Sequence, residues 1–170
     1  MLNNLIFLST KKSLSISFIG MLICLIFFWL LEKKLGTQIL DVLPGYDMNL
    51  IQKNFLVYGE NGRTLYAWSS LTLDLLFPIC YVTFFAGLIM VLSESKVFRW
   101  LVFLPCLLGT IDLIENVQIF YMLTQYPEIS LIQVQSASNT TFLKHSVTIA
   151  LYLSILCLFA FKVGKKMINR

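Results

Sequence analysis

Thr110-Ile111-Asp112-Leu113-Ile114-Glu115-Asn116 is the stretch whose reading decides the fold. Apolar runs flank it, Leu101-Val102-Phe103-Leu104-Pro105-Cys106-Leu107-Leu108 before and Val117 to Leu123 after. Together they read as a helix of membrane length that carries two carboxylates and an amide. A charged side chain at the centre of a spanning helix costs roughly 2.5–3.5 kcal/mol on insertion scales. Positions 112, 115 and 116 are spaced i, i+3, i+4, so one helix face holds all three. That face must meet other protein or a watery cavity rather than lipid, and the rest of the chain is expected to be built around it.

Composition points the same way. The chain is 58% hydrophobic and 13% charged, whereas a soluble domain is near half apolar and about a quarter charged. Its 170 residues suffice for one bundle of about four spans and one external segment, and not for a second domain. A single integral membrane domain over residues 1–170 is expected. The formal net charge of +4 does not imply a nucleic-acid partner, because most basic residues flank apolar runs. Cys24, Cys80, Cys106 and Cys157 all fall inside apolar segments. They lack metal-site spacing and are expected to be buried free thiols.

Working outward from the central stretch, four spans are expected at about residues 13–31, 66–92, 99–123 and 139–161. The first has a basic start, after Leu5-Ile6-Phe7-Leu8, as a signal peptide would. It is long for one, and no small-residue cleavage site follows, so it reads as a retained span. Residues 32–62 form an external segment with a turn at Leu43-Pro44-Gly45. Asp47 can cap a short amphipathic helix there, with Leu50, Ile51, Phe55 and Tyr58 as its apolar stripe against Gln52, Lys53 and Asn54. Gly59-Glu60-Asn61-Gly62 reads as a second turn. From Arg63 one long helix runs to about Leu92, and Pro78 should kink it and free a backbone carbonyl near Asp74. Ser93-Glu94-Ser95-Lys96 is a tight connection. Gln125 to Ser138 is a polar loop, or a short helix beginning after Pro127. Asn139-Thr140-Thr141 fits a glycosylation sequon, but it lies against the membrane and is set aside.

Lys11, Lys12, Lys96, Arg99, Lys162, Lys165, Lys166 and Arg170 fall on one side of such a bundle. Lys33, Lys34, Lys53 and Arg63 fall on the other, all in the one long loop. The positive-inside rule then places both termini in the cytoplasm.

At 1.5 Å per residue, Asp112 and Glu115 lie roughly 20 and 24 Å from the cytoplasmic boundary. Asp74 and Lys144 lie at roughly 28 and 27 Å by the same arithmetic. Three helices thus bring ionisable residues to the same outer third of a core about 30 Å thick. Arg63 and Tyr66 sit just above. Lys144 can reach Asp112 or Glu115, and Arg63 can approach Asp74. Asn116 shares their face, and Tyr81 follows Asp74 along its helix. His145 is expected to be a solvated residue at the interface, and Tyr81 and Tyr152 packing aromatics with tied hydroxyls. The candidate cluster is therefore Arg63, Tyr66, Asp74, Tyr81, Asp112, Glu115, Asn116, Lys144 and His145.

Phosphate-loop, zinc-protease, nucleophile-elbow and C-x-x-C motifs are absent. One histidine and unclustered thiols give no reason to expect a metal or other cofactor. With four spans and no broken-helix pair, a transporter would need to oligomerise.

Three motifs carry a resemblance. Gly59-Glu60-Asn61-Gly62-Arg63-Thr64-Leu65-Tyr66, Leu73-Asp74-Leu75-Leu76-Phe77-Pro78-Ile79-Cys80-Tyr81 and Asp112-Leu113-Ile114-Glu115-Asn116, with Lys144, resemble a family of small, uncharacterised four-span bacterial membrane proteins. That pattern is GxxGRxxY, DxxFPxxY, DxxEN and a late lysine over about residues 40–160. It implies a bacterial inner (plasma) membrane and no known activity. The layout also resembles the EXPERA fold of emopamil-binding proteins and the sigma-2 receptor, through four spans, Leu43-Pro44 and Asp74 with Pro78. That likeness implies an amphiphilic ligand held among acidic and aromatic residues.

The expectation is an all-α, polytopic membrane protein: a four-helix bundle with a short amphipathic helix in its first external loop. Its cluster is expected to bind, and could act on, a membrane lipid or hydrophobic small molecule. The alternatives are a structural or assembly subunit, whose cluster only packs helices against other membrane subunits or further copies of itself, and proton-coupled transport as an oligomer. Whether the chain is an enzyme is left open.

Overall fold

Thr10 starts the first helix by accepting from the Ser13 amide at 3.2 Å, and Gly36 ends it in the left-handed conformation (φ 76°). Between them α1 runs over Lys11–Leu35 in the computed structural model, which describes residues 7–93 and 95–168. Leu5, Ile6, Glu94 and Arg170 lie outside the described residues. Most of α1 is exposed along Ile16, Ile19, Ile23, Ile26 and Leu30. Such a surface suits an apolar environment rather than water.

The chain then folds back across the end of the bundle through a 3-10 turn, Leu40–Val42, before α2, Met48–Ser70. Asp47 caps α2 as its sequence predicts, with Oδ1 accepting from the Leu50 amide at 2.8 Å. Ile51, Phe55 and Tyr58 are buried, and so is Asn54, which the amphipathic pattern had put on the polar face. The expected turn over residues 59–62 is a single kink. Gly59 adopts φ 63°, ψ 179° and the helix resumes at once. Only glycine takes that conformation readily, because it has no Cβ to clash.

A second correction concerns the long helix. It breaks at Leu71 and Thr72, before Asp74, so α3 covers Leu73–Leu92. Ser70 and Thr72 hydroxyls take the carbonyls of Tyr66 and Trp68, at 3.0 and 2.7 Å. Such side-chain bonds compete with the helical ladder. Pro78 lies inside α3.

A 3-10 segment, Phe98–Val102, leads into α4, Phe103–Gln125, and the last helix α5 spans Leu131–Ile168. Of the two expectations for 125–138, a loop or a helix beginning after Pro127, the structure takes the helical one, and most of the stretch is the first turns of α5. Ser130 starts it, exchanging bonds with Gln133 at 2.8 and 3.2 Å.

Among the described residues, four helical segments are long and apolar enough to cross a membrane: Lys11–Leu35, Met48–Leu92, Phe98–Gln125 and Leu131–Ile168. The protein is an all-α bundle of four such segments. In it α3 packs against α1 and α4, α4 against α2 and α5, while α1 and α5 hardly touch. Two apolar cores result. Near the termini, Tyr81, Ile89, Leu108, Leu151 and Leu158 form one. At the opposite end, Leu35, Leu40, Phe55, Tyr66, Ile119, Met122 and Ala137 form the other. Along α4 the residues between Leu108 and Ile119 include Asp112, Glu115 and Asn116, so a polar layer separates the cores.

The cysteines depart from expectation. Cys24 is buried and Cys80 half-buried, but Cys106 and Cys157 are exposed on the apolar outside. A thiol is apolar enough to face lipid, so an apolar sequence context did not require burial.

Candidate functional site

Lys144 sits on the inward side of α5, one turn after Thr141, which is fully buried. Its ammonium forms a close ion pair with Glu115 and lies 3.3 Å from Asp112 Oδ1 and 3.6 Å from Asp41 Oδ1. Four side chains from three parts of the chain thus share one site, and none is more than 12% exposed. In such surroundings a charge left unpaired is costly, so each member depends on the others.

Hydroxyl groups complete the layer. Tyr81 donates to Asp112 Oδ2 at 2.9 Å, and Thr141 donates to Glu115 Oε1. The Tyr46 hydroxyl lies 3.3 Å from Thr141 Oγ1. Burial pushes the Tyr46 phenol above the usual tyrosine range. Tyr66 donates to Asp41 Oδ2 at 2.6 Å and accepts from the Leu40 amide at 2.9 Å. The hydroxyl of Tyr66 therefore fixes the segment that brings Asp41 to Lys144.

Asn116 serves the backbone. Its Nδ2 donates to the Asp74 carbonyl at 2.8 Å. Pro78, four residues on, has no amide hydrogen to offer that carbonyl, so Asn116 supplies one from another helix. The Asp74 side chain is 5% exposed and its Oδ2 is buried without a hydrogen-bond partner.

Arg63 is not part of this group. Its guanidinium donates to the Phe55 carbonyl at 2.8 Å and stacks 4.5 Å from the Tyr126 ring centre. The helix is kinked at Gly59, and Arg63, one turn beyond the kink, donates to the Phe55 carbonyl one turn before it rather than pairing with Asp74. His145 also departs from expectation. It is half-buried, with Nε2 2.8 Å from the Leu43 carbonyl, and it ties the 36–47 segment to α5. Ser138 does the same through the Tyr46 amide at 2.9 Å. Tyr152 is exposed, and its ring packs 5.7 Å from that of Phe85.

Asp41 is the residue that the sequence reading missed. By sequence it belongs to the external segment 32–62, where a carboxylate needs no partner. Its immediate context, Ile39-Leu40-Asp41-Val42-Leu43, was the available signal, since an acid in an apolar run needs a reason.

Beside the cluster lies a cavity of about 580 Å³. Met21, Leu25, Phe28 and Trp29 of α1 wall one side, and His145, Thr148 and Tyr152 of α5 wall another. Phe77, Tyr81 and Phe85 of α3, with Leu108 of α4, form its floor. Asp41, Asp74, Asp112 and Lys144 line it, with Glu32. Leu25, Trp29 and Tyr152 are about half exposed, at 46%, 53% and 55%, so the cavity opens sideways where α1 and α5 stand apart. Its volume is that of a small-molecule site.

Oxygens of Asp41, Asp112 and Glu115 lie within 4.8 Å of one another, close enough to share a metal ion. Lys144 pairs with the same three carboxylates. A metal there would have to displace its ammonium, so the donor set fits an internal lysine counter-ion better.

No protein-family model, curated protein or solved structure matches the chain.

Proposed function

We propose that the protein binds an amphiphile, a membrane lipid or another molecule with a polar head and an apolar body, in the cavity between α1 and α5. The observation that carries this is the junction of two environments in one space. Apolar and aromatic side chains wall the cavity of about 580 Å³, and Asp41, Asp74, Asp112 and Lys144 line its polar part. For an amphiphile coming from the bilayer there is no hydrophobic gain, so close packing against the walls and the buried polar groups that orient the head carry the binding. The sideways opening favours entry from the bilayer. The 36–47 segment is held down by Tyr66, His145 and Ser138, which favours a closed aqueous end.

In this reading the termini face the cytoplasm, the cluster lies toward the outer leaflet, and the membrane is a bacterial inner membrane. The ring of lysines at the termini supports that orientation.

Filling the cavity tests the proposal. Thr148→Phe adds volume where Thr148 makes only a bond to the Lys144 carbonyl in its own helix. The variant should accumulate and fold as the parent does, while native mass spectrometry from membranes shows a bound amphiphile on the parent and its loss from the variant. An amphiphile retained at full occupancy would count against the cavity as its site.

A second reading has its own support. Lys144, Asp112, Glu115, Tyr81 and Thr141 satisfy one another without a ligand. The cluster would then serve helix packing alone, in a structural or assembly subunit. Replacing Asp112, Glu115 and Lys144 together by Leu, Gln and Met should then preserve function. Under amphiphile binding that variant folds but holds the amphiphile more weakly than the parent, because the polar part of the cavity has changed.

A further inference from the structure

A second recess lies between α5 and the 3-10 segment Phe98–Val102 and shares no lining residue with the cavity beside the cluster. It holds about 360 Å³. Leu158 is buried within it, while Phe98, Leu153, Cys157 and Phe161 are exposed along its sides. Ser154 also lines it, but its hydroxyl is spent on the Ala150 carbonyl at 2.7 Å. The walls are therefore apolar, and from Leu153 to Phe161 they extend about 12 Å along α5. A groove of that shape suits one acyl chain.

Cations stand where the groove meets the end of the bundle. Arg99 follows Phe98 and Lys162 follows Phe161, and the two phenylalanine rings lie 6.2 Å apart. The Lys162 ammonium is pinned in place, donating to the Val91 carbonyl of α3 at 2.6 Å. An ammonium has three hydrogens, so two remain for an anion. Arg99 is partly exposed, and a guanidinium matches two phosphate oxygens at once. Trp100 beside it is 61% exposed and stacks on Phe103. An exposed tryptophan next to basic residues marks headgroup depth. By sequence Glu94 is the one acid at this end, against Lys96, Arg99, Lys162, Lys165 and Lys166.

We infer that this groove holds a phospholipid with an anionic head, one acyl chain lying between α5 and the 3-10 segment and the phosphate meeting Arg99 and Lys162. A zwitterionic lipid can lay the same chain there, but its ammonium group meets Arg99 and Lys162 with like charge. The groove takes the chain and the cations choose the head. Because the two sites share no residue, this one stands whether or not the cavity between α1 and α5 binds an amphiphile.

The experiment places the full chain in phosphatidylcholine nanodiscs and titrates in photoactivatable phosphatidylglycerol or phosphatidylcholine with identical acyl chains, mapping the labelled peptides. Phosphatidylglycerol should label residues 98–102 and 153–161 at roughly tenfold lower mole fraction than phosphatidylcholine, the effect of two cations near a membrane surface. Along the exposed face of α1 the two probes should differ by no more than about twofold. With Arg99→Gln and Lys162→Gln together, the preference at the groove should fall to about twofold. Lys11→Gln with Lys12→Gln removes as much charge from the same end, on α1, and should leave the preference intact. Cys157→Trp fills the groove and should suppress labelling of residues 98–102 by both probes. Equal labelling of the groove by both heads overturns the inference. So does a preference that survives the Arg99 and Lys162 changes, one that the Lys11 and Lys12 changes abolish, or labelling unaltered in Cys157→Trp. Should the Arg99 and Lys162 variant misfold, the wild-type protein decides: a preference as large along α1 as at the groove is general attraction to a charged end and overturns the site.

Discussion

Lys144 and Glu115 show most directly what the interior demands of single side chains. Glu115 is fully buried, and its carboxylate is held by Lys144 and Thr141. Lys144→Met would leave Asp41, Asp112 and Glu115 without their shared cation. Breaking a buried pair by removing one partner typically costs about 3–5 kcal/mol. Unfolding in mild detergent should show a loss of that order, and adding Asp112→Asn and Glu115→Gln should recover most of it. A Lys144→Met protein as stable as the parent would mean that the cluster is wet. These residues were legible in the sequence because charge inside an apolar run has few cheap explanations. Arg63 was misread for the complementary reason. A long guanidinium at a helix end can choose among carbonyls and rings, and nothing in the sequence displays which are within reach.

At the level of helices, α3 and α4 are joined by a defect and its repair. Pro78 frees the Asp74 carbonyl, and Asn116 of α4 binds it at 2.8 Å. Asn116→Leu should therefore destabilise the bundle by about 1–3 kcal/mol, the cost of a buried polar group left unpaired. Pro78→Ala restores an amide hydrogen within α3. In that background the same Asn116→Leu change should cost much less, and a double-mutant cycle by detergent unfolding measures the difference. Additive effects would sink this account of Asn116. The proline, the carbonyl it frees and the amide could all be named from the chain, since each follows from a residue type and a count of four. The break at Leu71 and Thr72 could not, because Ser70 and Thr72 can bond back to carbonyls or leave the helix intact, and packing chooses between them. The same holds for Gly59, where a kink stood in place of a four-residue turn.

For the whole molecule, charge at the bundle ends and the opening between α1 and α5 govern how it meets a membrane. Lys11, Lys12, Lys96, Arg99, Lys162, Lys165 and Lys166 belong to one end, and the proposed orientation, from the positive-inside rule, puts that end in the cytoplasm. In a background without native cysteines, Gln52→Cys should react with an impermeant thiol reagent on intact cells. Lys166→Cys should react only after the membrane is opened. The reverse pattern would overturn the assigned orientation and turn the cavity toward the inner leaflet. Composition and periodicity alone determined that the chain forms a membrane-length helical bundle, and that Asp112, Glu115 and Asn116 share an inward face. Those properties follow from the cost of polar groups in hydrocarbon and from 3.6 residues per turn. Only the tertiary structure decided that Asp41 joins Lys144, that Arg63 does not approach Asp74, and that α1 and α5 part to leave a cavity. Each of these depends on where a connecting segment lands and how two helices lean. Such outcomes are set by the packing of residues far apart in the chain, not by any local pattern.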